Sequence, residues 1–318
     1  MSGQAKKRIV VLGAGSVGRR HLRNFAFLGC EVSAMDPNAE RIAEVAKEVS
    51  LKNSFFSLEE VLKNAKDFDG AVVAAPPKFH INQALELLGN NIPILMEKPL
   101  AKTLEEAEKL AESMKNNPAK VLLGYTYRWW PSLIDLRSKI LSGEVGKPLR
   151  AEFNMSAHLA DWHPWERYQD FFMASKDLGG GALLDESHWL DLMIWFFGMP
   201  GEVFAKIGKI SDLEIDTDDN VDMIISYENN LQVSIHLDLY GRPHEKSIKI
   251  TGEKSSLAWN FENDLDRNIM FMGLAEDFLA VLGGEKKIKC GVPDGINVLK
   301  VIEAARRSSL GGKSEKVT

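Results

Sequence analysis

The sequence predicts an α/β chain whose first part is a doubly wound parallel sheet and whose second part rests on a largely antiparallel sheet. Three observations carry this. Residues 8–125 alternate β-branched runs with helical stretches, the order that gives a parallel sheet covered on both faces through right-handed crossovers. From residue 202 onward, strand-like segments follow one another without intervening helices, as in an antiparallel sheet. The length, 318 residues, fits two domains at the usual size.

Each element has its own signal. Arg8–Leu12 is a continuous apolar run ending in glycine, and Ser16–Leu28 has helical periodicity. Glu31–Met35 is a strand and Ala39–Val49 a helix rich in Ala, Glu and Lys. Ser57 with Glu60 is a capping box that opens a short helix, and Thr103 with Glu106 repeats the signal ahead of a helix to Met114. Gly70–Ala75, Ile92–Met96 and Lys120–Tyr125 are strands, with helix Ile81–Leu88 between the first two. A domain boundary falls near residue 125. Beyond it come helix Pro131–Leu141, strand Lys147–Met155, an irregular aromatic stretch over 161–177, and a glycine triplet (Gly179–Gly181) before a helix spanning Ala182–Phe197. Strands follow at Glu202–Ile210, Val221–Tyr227, Leu231–Tyr240, Ser247–Thr251 and Leu257–Trp259, with a hairpin turn at Asn229-Asn230. Leu274–Leu282 and Ile296–Ser308 are terminal helices; residues 311–318 are frayed or a short strand.

Composition narrows the function. Lys plus Arg is 39 and Asp plus Glu is 45, so the net charge is −6, against a broad nucleic-acid surface. No apolar run reaches the ~18 residues needed to span a bilayer, and the first apolar run is too short for a secretory segment. The only cysteines, Cys30 and Cys290, form neither a metal motif nor a disulfide framework. The expectation is a cytoplasmic chain with no metal, membrane or nucleic-acid partner. One skew stands out: six of the seven tryptophans fall between Trp129 and Trp195.

The chemistry starts at Gly13-Ala14-Gly15-Ser16-Val17-Gly18. This G-x-G-x-x-G run follows a strand and opens a helix, the setting in which backbone N–H groups approach a pyrophosphate. Asp36 ends the second strand. A carboxylate there accepts from adenosine ribose hydroxyls and repels a 2′-phosphate, so NAD is favoured over NADP, with Arg41 leaving NADP open. Ala75, Pro76 and Pro77 mark where a strand leaves the sheet, with His80 beginning the next helix; they form a wall of the cofactor crevice. Glu97-Lys98-Pro99 ends another strand, where a lysine points into the ligand crevice and can hydrogen-bond a substrate hydroxyl or carbonyl.

Together these stretches resemble the glucose–fructose oxidoreductase / inositol dehydrogenase / MocA (Gfo/Idh/MocA) family of nicotinamide-dependent sugar oxidoreductases. The likeness continues through Gly124-Tyr125-Thr126-Tyr127-Arg128 and through Gly179–Asp185 with His188 and Asp191, so it covers about the whole chain. The resemblance implies an N-terminal Rossmann domain (1–125) that binds NAD, and a C-terminal α+β domain (126–318) with an open, mostly antiparallel sheet for substrate and oligomerisation. A homodimer or homotetramer through that sheet is expected. Glu97, Lys98 and Arg128 join the expected cofactor contacts.

Asp185, His188 and Asp191 follow at intervals of three, so on one helix His188 reaches either carboxylate and is a plausible proton acceptor. The resembled family usually spaces its acid and histidine by four; the interval of three leaves Asp185, Glu186 and Asp191 all open as the partner of His188. Trp162, His163 and Trp165, in a proline-containing loop, offer aromatic faces to a sugar ring, and Tyr127, Asp191 and Arg242 are further substrate contacts, Arg242 for an anionic group. The tryptophan cluster is read as part of the wall facing the nicotinamide, with Trp195 in the core. The resulting expectation is an NAD-dependent oxidoreductase that moves a hydride between nicotinamide and a hydroxyl-bearing carbon of a sugar or sugar derivative, nucleotide-linked or sialic-acid-like sugars included. Lys98, His188 and Asp185 are its catalytic residues. Two other readings stay open: a non-catalytic dinucleotide-binding regulatory protein, and a reductase of a non-sugar carbonyl or imine.

Overall fold

The computed structural model describes residues 6–115, 117, 120–162, 164, 166–261 and 266–318. In chain order the elements are β1 (Arg8–Leu12), α1 (Ser16–Phe27), β2 (Glu31–Met35), α2 (Ala39–Ala46), β3 (Leu51–Phe55), α3 (Leu58–Lys63), β4 (Gly70–Val73), α4 (His80–Gly89), β5 (Ile94–Glu97), α5 (Leu104–Met114) and β6 (Val121–Gly124). Then come α6 (Pro131–Leu141), β7 (Pro148–Ser156), α7 (Ala182–Asp185), α8 (His188–Phe197), β8 (Glu202–Gly208), β9 (Asn220–Ser226), β10 (Gln232–Asp238), β11 (Glu245–Gly252), β12 (Ser256–Asn260), α9 (Asn268–Leu282), α10 (Val292–Gly311) and β13 (Glu315–Lys316). Two compact units form: one from the chain up to Ala101, Glu105–Thr126 and Arg267–Gly295, the other from Lys102–Leu104, Tyr127–Asp266 and Ile296–Thr318.

The first unit is a six-stranded parallel sheet in the order β3-β2-β1-β4-β5-β6. The chain winds outward from β1 in one direction and from β4 in the other. The carboxyl ends of those two strands therefore flank the switch point where open α/β sheets hold ligands. Ile9–Leu12, Ala71–Val73 and Ile94–Met96 are fully buried, which is why these runs are apolar without alternation. The α3 capping box forms: Ser57 Oγ accepts from the Glu60 N–H, while the Glu60 carboxylate accepts from the Phe56 N–H. Strand β3 has no sequence signal, because on this edge strand Lys52, Asn53 and Ser54 are exposed and only Phe55 is buried.

Helix α9 returns to this unit and packs on α1. Phe25 meets Phe278 and His21 meets Phe271 edge to face, Arg20 lies over the Phe271 ring, and the Asn24 and Asn268 side-chain amides exchange hydrogen bonds.

The second unit holds a seven-stranded sheet in the order β12-β11-β7-β10-β9-β8-β13. Every pairing is antiparallel except β7 with β10. The final residues form β13 against β8. The Asn229-Asn230 turn closes the β9–β10 hairpin, with Asn230 at φ 69° and the Asn229 side chain accepting from the Leu231 N–H. The expected helix over Ala182–Phe197 is broken: α7 ends at Asp185, Glu186 and Ser187 form a turn, and α8 begins at His188. The glycines before α7 are needed for packing. A Cβ at Gly180 would overlap the Phe172 and Met173 carbonyls, and one at Gly181, where φ is 102°, would overlap the Asp218 carboxylate. Asp218 in turn accepts from the Leu183 N–H; burial pushes its carboxyl up from the ordinary range. Among the described residues no helix is long and apolar enough to cross a membrane.

Along the second sheet one face is buried and apolar (Phe153, Met155, Met223, Ile225, Val233, Ile235), and the other is open. On the open face His236 stands between Asp238 and Asp222, at 3.1 and 2.7 Å. These carboxylates, Asp238 foremost, raise its pKa to about 9. The folded-state pKa exceeds the unfolded value, so the resulting stability is complete below about pH 6.5 and is lost as pH rises through about 9. Thermal melts from pH 6.5 to 9.5 are therefore expected to show a falling Tm in the wild type and a smaller fall in His236→Gln; equal falls in both would exclude this contribution.

Candidate active site

In the first unit the glycine loop is built by close approach. A Cβ at Gly18 would overlap the Gly13 carbonyl oxygen, and one at Gly13, where φ is 97°, would lie 2.6 Å from the Ala74 carbonyl oxygen. These two glycines let β1, α1 and the end of β4 meet. Gly15 differs, since nothing lies within 4 Å of the position its Cβ would take. It is the N-cap of α1, and no side chain caps that helix or places an acid in its first turn. Ser16 and Val17 are exposed on the same turn. An open backbone position beside uncapped N–H groups fits the pyrophosphate of a dinucleotide.

Asp36, only 3% exposed, does more than the sequence suggested. Its Oδ2 accepts from the Ala14 N–H at 2.8 Å and its Oδ1 from the Asn38 N–H at 2.9 Å. The carboxylate thus fixes the glycine loop while keeping lone pairs for further donors. The Arg41 guanidinium, more than half exposed, lies 3.8 Å from Oδ2.

At the next strand ends, Ala75 and Pro76 are half-buried and lead into α4. The two ring nitrogens of His80 face the carbonyl oxygens of Pro99 and Ala75, each at 2.8 Å, so His80 ties the exits of β4 and β5 together. Burial pushes its pKa down, opposed by those carbonyls. Glu97 ends β5, and its carboxylate accepts from His21 Nε2 of α1 at 2.7 Å. Gly124 makes room for Glu97, since a Cβ there would sit 3.2 Å from the carboxyl carbon. Lys98 follows, half-buried, with its peptide bond to Pro99 in the cis form. The glycine loop, Asp36, Ala75-Pro76 and Glu97-Lys98 all lie at the carboxyl edge of one sheet. His21 was not anticipated, although it shares the inward face of α1 with Leu22 and Phe25.

In the second unit, Arg128 and Asp191, expected at the cofactor and the substrate, are bound to each other. Nε and Nη2 of Arg128 donate to the two Asp191 oxygens at 2.9 and 2.7 Å, and both side chains are buried. Asp191 thereby forms a buried bidentate ion pair with Arg128. Glu186 accepts from the Trp189 indole at 3.1 Å, and Asp185 is buried at the end of α7. His188 opens α8, and its ring stacks on Tyr127 with centroids 4.4 Å apart and planes 14° apart.

Tyr127 is held by neighbours the sequence did not reveal. Trp130 and Trp189 meet it edge-on at 5.6 and 6.1 Å, and Lys246 donates to its hydroxyl at 2.9 Å. Lys246 was missed although it shares the inward register of β11 with Ile248 and Ile250. The reading of the tryptophans as a wall is corrected for Trp130 and Trp189. Both are buried in an aromatic core with Trp259, Phe153 and Phe261. Trp195, expected in the core, is half-buried under the Arg137 guanidinium.

Trp162 is half-buried after a short turn that His158 caps by accepting from the Ala160 N–H. His163 and Trp165 lie outside the described residues. Arg242 pairs with Asp161 at 2.7 and 2.8 Å, with both side chains more than half exposed.

Comparison with known proteins places the fold in a family. Residues 7–125 match the model described as "Oxidoreductase family, NAD-binding Rossmann fold", and residues 133–258 match "GFO/IDH/MocA C-terminal domain". The chain is 28% identical to the rhizopine catabolism protein MocA of Rhizobium meliloti over 60% of its own length and 57% of that protein's. It is 31% identical to 4-carboxy-2-hydroxymuconate-6-semialdehyde dehydrogenase of Sphingobium sp. over 81% of this chain and 73% of the other. Its fold matches the WlbA dehydrogenase of Bordetella pertussis, solved with NADH and UDP-GlcNAcA, at a TM-score of 0.86 and 20% identity, covering 98% of this chain and 99% of that one.

The glycines separate folding from binding. Gly15→Val is expected to keep the wild-type Tm but to weaken NADH binding at least ~10-fold, because its side chain enters only open space. Gly18→Ala is expected to lower Tm, because its Cβ meets backbone. Melts paired with NADH fluorescence titration check both; unchanged NADH affinity in Gly15→Val would remove the loop from the cofactor site.

Proposed function

The chain belongs to the Gfo/Idh/MocA oxidoreductase family, whose N-terminal part is an NAD-binding Rossmann fold, and from that premise we propose that it moves a hydride between NAD and a hydroxyl-bearing carbon of a sugar or sugar derivative. The observation that carries this reading is the row of strand ends in the first unit. There the open Gly15 cradle, Asp36 and Lys98 share one sheet edge, with β4 between β1 and β5. Bound NAD supplies the hydride acceptor or donor; the protein supplies position and proton handling.

In this reading Gly13 to Gly18 receive the pyrophosphate and Asp36 the adenosine ribose. Lys98 holds the oxygen of the reacting hydroxyl and favours its deprotonated form. His188 takes the proton from that oxygen in oxidation and returns it in reduction. Asp185 is the carboxylate assigned to orient His188, while Asp191 also binds Arg128 and Glu186 the Trp189 indole. Residues 1–125 serve the cofactor and residues 126–318 the substrate. The sugar class draws support from relatives named for inositol oxidation, and from the WlbA neighbour whose ligand is a nucleotide-linked acidic sugar.

Self-association through the open sheet face belongs to the same proposal. Phe204 and Ile224 pair across β8 and β9 on that face, 42% and 56% exposed. Sedimentation is expected to show a dimer or tetramer that Ile224→Lys shifts toward monomer; a monomeric wild type would refute it.

Activity is tested by NADH formation over a panel of inositols, free sugars, uronates and nucleotide sugars. Lys98→Met and His188→Asn are each expected to cut kcat at least ~100-fold, with NADH affinity in His188→Asn within about threefold. Wild-type NADH binding with no turnover across the panel would favour the regulatory reading instead. Full activity in either variant would remove that residue from the mechanism.

A further inference from the structure

Lys246 is a lysine in a place built for an apolar side chain. It stands second in β11, on the covered face of the sheet and in register with Met155, and is 5% exposed. Among the described residues it forms no ion pair. Its ammonium donates to the Tyr127 hydroxyl at 2.9 Å and lies 5.6 Å from the centre of the Phe261 ring. It is also 5.7 Å from the centre of the Tyr127 ring. That distance is about the sum of the hydrogen bond and the ring-centre-to-oxygen length, so the ammonium extends the axis of the phenol rather than covering its face. A buried ammonium held by one neutral oxygen is costly, and apolar packing would be cheaper. A function that fixes the phenol accounts for its presence.

The phenol it fixes carries His188. With Trp130 and Trp189 against its edges and Lys246 on its hydroxyl, Tyr127 has little freedom to turn about its ring axis or to slide. Its face is parallel to the imidazole to within 14°. A proton acceptor needs its ring plane held where the reacting oxygen arrives. We propose that Lys246 is a positioning residue for His188, acting through the hydroxyl of Tyr127. This rests on the reading that His188 handles the substrate proton.

The proposal predicts coupling, which a double-mutant cycle reads. Tyr127→Phe keeps the stack but leaves the ammonium without an oxygen acceptor, so its Tm is expected to fall. Lys246→Met removes the buried charge, so its Tm is expected to hold or rise, and adding it to Tyr127→Phe is expected to recover most of the loss. In turnover, Tyr127→Phe and Lys246→Met are each expected to lower kcat ~10-fold with KM within about twofold, and the double variant to lose no more than either alone. Additive losses of ~100-fold, unchanged kcat in Lys246→Met, or a Tm that falls further in the double variant would overturn the proposal. The two readings fail differently. If His188→Asn retains full kcat, the proton role of His188 is wrong; if His188→Asn is inactive while Lys246→Met turns over normally, the positioning role alone is wrong.

Discussion

A carboxylate at the end of a buried parallel strand has to be satisfied from within the fold, and His21 does this for Glu97. The geometry of the first unit hangs on that hydrogen bond. It joins α1, the helix that begins at the glycine loop, to the end of β5, the strand that presents Lys98. Gly124 leaves room for the carboxylate, Phe25 and Phe271 close around the imidazole, and His80 braces the neighbouring turn from the other side. The helix that leaves the cofactor cradle and the strand that presents the proposed lysine are thus linked by one buried polar contact.

The second unit meets the same constraint with other residues. Arg128 and Asp191 neutralise each other in the interior, and the bidentate geometry keeps α8 at a fixed angle to the stretch that follows Thr126. Lys246 and Tyr127 form a weaker neutral–cationic pair, and the difference is informative. The first is a charge-to-charge tie, whereas among the described residues Lys246 meets a neutral phenol, in keeping with its proposed role of holding that ring.

Much of this was legible in the residues. The alternation over 8–125 places the parallel strands, and the glycine run with Asp36 marks the cradle, because backbone conformation and strand-end position are local properties. What was not legible depended on partners far along the chain. Nothing near Asp191 says that it pairs with Arg128, far back along the chain. Nothing in the spacing of 182–197 shows that the helix breaks at Glu186, or that Asp218 lies against Gly181 at its start. The tryptophans mislead for the same reason: an aromatic count cannot distinguish a core from a wall. Strand β3 was missed because an edge strand with exposed Lys52 and Ser54 lacks the buried pattern that identifies its neighbours.

The return of α9 to α1 has a consequence for how the polypeptide is made. Helix α1 leaves the ribosome well before α9, and the residues that pack on its Phe25 and His21, Phe278 and Phe271, are synthesised only after residues 127–266 have followed. The unit that holds α1 is therefore completed only after most of the other unit has been made. Until α9 is made, the nascent protein carries uncovered aromatic groups on α1, a surface that a polypeptide ending at residue 125 would expose permanently.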